Sequence, residues 1–349
     1  MKRHWGILKK SLVIIFFLAL AALSFRAVDR LLMIRSQHGI DQMRCFYDQV
    51  RDSIDVLFLG SSHVHVDINT GTLWEEFGIA SYDLSGAEQP LWMTYHVMKE
   101  ALKTQTPRLM VLECYAPSVF HDDFHPDWID ENVMGMRFSI NKLQMMSVSL
   151  KSESWASCFP GFAVWHHRYG QLGEEDWKAF LTTAKDRRVF KGYTPYFRNE
   201  PQERITGIRD DTQGLSYKSQ VYLTKIFDLC EEKEIPLYVI VSPYVVRSEL
   251  AASSQREMGD MAEERELYFI NYNSDEALER MDLDFATDLC DHSHLNYLGS
   301  VKYTRCLGRD IRQFYDIPDR RGEKDNKCYE SWERNAADIH RQAQENGYE

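Results

Sequence analysis

The stretch FLGSSHVHVD, residues 58–67, runs apolar into a Gly-Ser-Ser turn and then shows two histidines. A glycine and serines directly after a strand can hold a hydroxyl outward as a nucleophile, although the same residues also end ordinary strands. A serine is a poor nucleophile until a base takes its proton, and the base needs a partner that fixes its tautomer and stabilises its charge. DLCDHSHLNYLG, residues 288–299, supplies both, with Asp291 and His294 three positions apart. Asp-x-x-His by itself serves as well as a helix cap. Joined to the Gly-Ser-Ser turn, it makes Ser62, His294 and Asp291 a candidate nucleophile, base and orienting carboxylate.

The same residues admit a rival chemistry. His63-x-His65 and His292-x-His294, with Asp67 or Asp291 as carboxylate, could ligate one metal ion if the first pair lies on a strand-like loop, where i and i+2 share a face. That reading leaves the Gly-Ser-Ser turn unexplained, and the expectation is a site without metal or cofactor. His121, His125 and His166-His167 lie in aromatic-rich sequence and read as surface or cleft residues.

Positioning Ser62 against His294 requires both to leave strands at one edge of a sheet. Apolar runs at 55–60, 80–86, 108–115, 235–244 and 267–273 alternate with helical stretches at 72–78, 90–105, 222–234, 246–265 and 295–315. Fully apolar strands alternating with helices predict a parallel sheet covered on both faces, an α/β fold. The first strand ends at Gly60 and the last is followed by Asp291, so the two can meet above the carboxyl edge. Between 116 and 216 the rhythm stops in aromatic-rich sequence, too long for one loop, which predicts an insertion with helices of its own. Residues 316–349 read as a charged, peripheral tail.

Composition bounds the partners. The chain has 349 residues, 44% of them apolar, and a net charge of −12; nucleic acid needs a basic surface and is not expected. MKRHWGILKK carries four basic residues and no acid before the uncharged run at 12–25, which predicts insertion with the N-terminus cytoplasmic and the body outside. Residues 1–35 thus read as a basic stub and transmembrane anchor spanning 12–28, with 36–315 as the α/β domain. A cleaved signal peptide ending near Ala22 or Ser24 is the alternative. The seven cysteines include no CxxC, which excludes a thiolate zinc knuckle; their pairing is not legible.

Gly60-Ser61-Ser62 together with Asp291-x-x-His294-Leu295-Asn296-x-x-Gly299 resembles the SGNH/GDSL hydrolase superfamily. It looks closest to a membrane-anchored branch that includes teichoic-acid D-alanine transfer proteins and alginate-type O-acetyltransferase proteins. The similarity runs over about residues 53–315, YDLSG at 82–86 included. The resemblance implies a three-layer, flavodoxin-like α/β/α fold and the third residue of the turn, Ser62 rather than Ser61, as nucleophile. It implies the N–H groups of Ser62 and Gly86 as oxyanion donors. Many members add an asparagine after the third strand; here the sequence reads LECYAP, so either Gln89 or Tyr115 substitutes or the hole has two donors. Losing one such donor costs about 100-fold or more. The function so implied is acyl transfer, O-acylation (acetylation) of a cell-surface glycan, with a polytopic membrane acyltransferase as partner. An esterase with the same triad and a non-catalytic adaptor of that partner are the alternatives.

Overall fold

The computed structural model describes residues 2–32, 39–121, 128–158, 166–181, 190–323 and 328–348. Two compact units emerge, one from Met1–Arg35 with Ser152–Arg187 and the other from Ser36–Lys151 with Arg188–Glu349. Residues 116–216, expected as one insertion, therefore divide between the two.

In the larger unit, five apolar runs form strands β1 (Val56–Gly60), β2 (Ser81–Ser85), β3 (Leu109–Glu113), β4 (Leu237–Val241) and β5 (Tyr268–Asn271). All pair in parallel in the order β2-β1-β3-β4-β5. The first four are buried along their whole length, so their side chains need helices on both faces. Val56, Phe58, Val111 and Ile240 pack on one face with residues of the helices Thr70–Phe77, Asp275–Met281 and Tyr297–Phe314. Helix Leu91–Ala101 packs against β1 and carries helix Tyr217–Glu232, while helix Glu249–Glu263 lies against β5. The fold is α/β, as expected. Because the strands are parallel, every carboxyl end lies at one edge, and the chain reverses direction across the sheet between β1 and β3.

Two local expectations change. Residues 62–67 are a short helix rather than a strand-like loop. The tail is not peripheral: helix Glu330–Glu345 packs on helix Thr70–Phe77. It buries Trp332, whose Nε1–H donates to the Ser81 carbonyl of β2 at 2.9 Å. Its apolar residues are spaced Trp332, Ala336, Ile339, Ala343, a helical stripe diluted in a charged sequence.

In the smaller unit, helix Lys2–Leu32 carries a 25-residue stretch, Leu8–Leu32, long and apolar enough to cross a membrane. At 1.5 Å per residue it is about 37 Å long, against about 30 Å of hydrocarbon. Phe16, Phe17 and Leu18 are exposed along it. Arg168 Nη1 donates to the Leu32 carbonyl that ends it, at 2.7 Å. Among the described residues, Cys114, Cys230, Cys290 and Cys306 are buried and form no disulfide.

If the tail helix is part of the core, Trp332→Ala should lower stability by about 3–5 kcal/mol. Denaturant unfolding of the variant measures this, and an unchanged midpoint would return the tail to the periphery.

Candidate active site

β1 ends at Gly60 with φ 151°, a backbone region that glycine enters at little cost. A Cβ at that position would lie 2.7 Å from the Glu113 carbonyl of β3, so only glycine lets the two strand ends come this close. The chain then turns into helix Ser62–Asp67 with Ser61 as its N-cap. Ser61 Oγ does not cap the helix; it donates to Glu113 Oε2 at 3.0 Å. The two serines therefore part, Ser61 buried against β3 and Ser62 half-buried at the edge.

Ser62 Oγ lies 2.8 Å from His294 Nε2. His294 Nδ1 lies 3.1 Å from both carboxylate oxygens of Asp291. Asp291 Oδ1 also accepts the N–H of Ser293 at 2.8 Å and of His294 at 2.9 Å, and Arg198 Nη2 approaches Oδ2 at 3.4 Å. Burial pushes Asp291 up, but the hydrogen bond and charge of His294, with those two N–H groups, hold its carboxyl well below the usual range. An ionised carboxylate, an imidazole and a hydroxyl thus stand in line, the arrangement a base needs to accept the hydroxyl proton.

The remaining expected residues fall as follows. Gly86 follows Ser85, the partner of Gly60 in the β1–β2 register, so it leaves its strand at the same sheet edge as the Ser62 turn. Gln89 Nε2 donates to the Gly60 carbonyl at 3.1 Å and to Thr94 Oγ1 at 3.0 Å. One of these bonds goes to the turn after β1 and the other to helix Leu91–Ala101. Tyr115 Oη meets Ser293 Oγ at 3.1 Å, in the loop that carries His294. On the metal reading, His63 Nδ1 bonds Asp67 Oδ2 at 2.7 Å while His65 Nδ1 bonds Ser85 Oγ at 2.9 Å. Residues two apart on a helix face apart, which removes the shared face that reading needs. Among the described residues no group of three candidate ligands converges. His292 is exposed and His121 half-buried; His125 and the side chains of His166 and His167 lie outside the described residues.

Sequence reasoning missed Glu113, Asn132 and the His63–Asp67 pair. The apolar run at 108–115 contains Glu113 and assigns it no further part. Burial pushes its carboxyl up to about 7, although Ser61 Oγ–H and the N–H groups of Tyr115, Ser242 and Ser61 donate to it. Asn132, from helix Ile129–Met134, donates to the Ala87 carbonyl at 2.8 Å and fills the space a Cβ on Gly86 would need. A charged residue inside an apolar strand was the one signal available for Glu113. Asn132 gave none.

No family model matches the chain, and no curated protein matches it. Among solved structures it is similar to a Bacteroides fragilis protein described as a "putative acylhydrolase". The identity is 11% and the TM-score 0.36, over 74% of this chain and 86% of that one.

Because burial raises Glu113 from 4.5 to about 7, the folded protein keeps a proton that the unfolded chain releases in that interval. The stabilisation is complete below pH 4.5 and is lost as pH rises through about 7, by on the order of 3 kcal/mol. Urea unfolding of wild type and Glu113→Gln across this window should give a steeper fall for wild type. Parallel curves would mean that Glu113 ionises as an ordinary carboxylate.

Proposed function

We propose that the chain is a membrane-tethered serine acyl-transfer enzyme working outside the cytoplasm, of the SGNH type. The observation that carries this reading is the line Ser62 Oγ, His294 Nε2, His294 Nδ1, Asp291, closed at 2.8 Å and 3.1 Å. Ser62 Oγ attacks the carbonyl carbon of an acyl ester or thioester while His294 Nε2 takes its proton. The N–H groups of Ser62 and Gly86 receive the developing oxyanion; the first belongs to the opening turn of a helix, where amides lack intrahelical acceptors. Collapse breaks the bond to the leaving group, which His294 protonates, and leaves an acyl ester on Ser62. An incoming hydroxyl then gives its proton to His294 and takes the acyl group, and His294 returns the proton to the departing Ser62 Oγ.

The acceptor decides between transfer and hydrolysis. The resemblance of the Gly60-Ser61-Ser62 and Asp291-x-x-His294 motifs to membrane-anchored O-acyltransferase proteins supports a glycan hydroxyl at the cell surface, with a polytopic membrane acyltransferase delivering the acyl group. The apolar helix Leu8–Leu32 supports a tether, and the basic residues before it support a cytoplasmic N-terminus. A tether raises the local concentration of a membrane-bound donor.

A fluorophosphonate probe should label the protein at Ser62. Ser62→Ala should abolish labelling and acyl-ester turnover. Ser61→Ala should keep most of both, since Ser61 Oγ points to Glu113. His294→Ala should cost several orders of magnitude, Asp291→Asn somewhat less, and His292→Ala little. Folded protein that resists the probe, or equal loss in both serine variants, would reject the enzyme reading. Inactivation by a chelator with recovery on adding zinc would favour the metal rival.

The basic decapeptide should remain on the cytoplasmic side and residues from 36 onward outside, with the chain intact. N-terminal sequencing of native protein checks this. A mature chain beginning near Phe25 and recovered in the soluble fraction would remove the tether and favour hydrolysis.

A further inference from the structure

Helix Ser62–Asp67 carries a second histidine–aspartate pair beneath the first. His63 and Asp67 are one helical turn apart and wholly buried, with Nδ1 and Oδ2 separated by 2.7 Å. The His63 ring packs against two others at close range. The Tyr115 centroid is 3.8 Å away, and His294 stacks on His63 at 4.9 Å with 28° between planes. Tyr244 closes an edge at 5.7 Å. The other oxygen of Asp67, Oδ1, accepts the N–H of Leu295 at 2.8 Å, the residue directly after His294. His63 Nε2 is buried without a hydrogen-bond partner, a state that destabilises a fold. Apolar residues of similar volume would pack this space without that cost, so simple core filling does not account for the pair.

We infer that His63 and Asp67 are positioning residues for His294, His63 as the platform under its ring and Asp67 as the anchor of its loop. The inference rests on the reading of Ser62 as nucleophile and His294 as base. The helix then fixes both ends of one contact. It begins with the nucleophile and ends with the carboxylate that fastens the backbone next to the base. With Nδ1 held by Asp291 and one face on His63, the imidazole has one orientation left, and in it Nε2 meets Ser62 Oγ. The platform must not carry charge when His294 takes the serine proton. Burial, and the neighbouring His294, hold His63 well below its ordinary value, so it presents a neutral ring to the imidazolium.

The test uses the full chain in detergent and the rate of fluorophosphonate labelling at Ser62, with thermal melting in parallel. His63→Ala should slow labelling by tenfold to about 100-fold, the range expected when a catalytic group is misplaced by about 1 Å. His63→Phe restores a ring and should recover most of the rate. Both variants leave Asp67 Oδ2 unpartnered, so both should melt lower than wild type. Recovery of rate without recovery of stability is what a purely structural role would not produce. Asp67→Ala should slow labelling, and Asp67→Asn, which keeps an acceptor for Leu295, should recover part of it. Labelling of His63→Ala at the wild-type rate, or of His63→Phe as slowly as His63→Ala, overturns the inference. If wild type itself is not labelled, the nucleophile reading has failed and the downfield NMR signal of His294 Nδ1–H decides. Its loss in His63→Ala and retention in His63→Phe supports the platform; its presence in both overturns it.

Discussion

A hydrogen bond of 2.8 Å joins Ser62 to His294 across 232 positions of sequence, and no local structure can hold two such groups at that distance. The parallel sheet does so. With every strand running the same way, the turn after β1 and the loops beyond β4 and β5 open at one edge. The strand order places the ends of β1 and β3 next to each other, where an open α/β sheet forms its crevice. Gly60 is the point on which this turns, because a side chain there would strike β3. A larger residue would move Ser62 away from His294 and Ser61 away from Glu113 together.

Around that contact the protein buries polar groups that an ordinary core would exclude. Glu113 holds Ser61 and accepts three backbone amides; Asp67 holds His63 and Leu295; Tyr115 reaches Ser293. Each bond ties an element bearing Ser62 or His294 to a neighbour. Buried polar networks of this kind stabilise little beyond what apolar packing would, but they allow few alternative arrangements. Around the Ser62–His294 contact these bonds fix one arrangement at the expense of stability.

Segments distant in sequence complete the unit. The strap after the break in the α/β rhythm is laced to the site. Thr194 N–H donates to the His65 carbonyl at 2.6 Å, Glu200 N–H to Leu289 at 2.9 Å, and Tyr297 N–H to Tyr196 at 2.7 Å. The C-terminal helix covers helix Thr70–Phe77, with Asn335 reaching Thr70 and Glu333 reaching Trp74. In that way residues 190–202 and 330–345 brace helix Ser62–Asp67 and the helix that follows it.

The sequence by itself determined the α/β class, because fully apolar strands separated by helices have few ways to bury both faces. It marked Ser62, Asp291 and His294, since a hydroxyl just past a strand and a carboxylate three residues before an imidazole are chemically conspicuous. It marked the long apolar helix as well. It did not determine that residues 62–67 form a helix, which their β-branched and histidine content disfavours locally. That choice separates His63 from His65 and pairs His63 with Asp67. It also gave no sign that Trp332 is core, because a stripe of four apolar residues in a charged tail acquires meaning only against the surface it covers. The contacts of Glu113, Asn132 and the His63–Asp67 pair were likewise decided by tertiary structure. A residue's charge state and partners depend on what lies across the crevice, and those groups come from strands, loops and helices far apart along the chain.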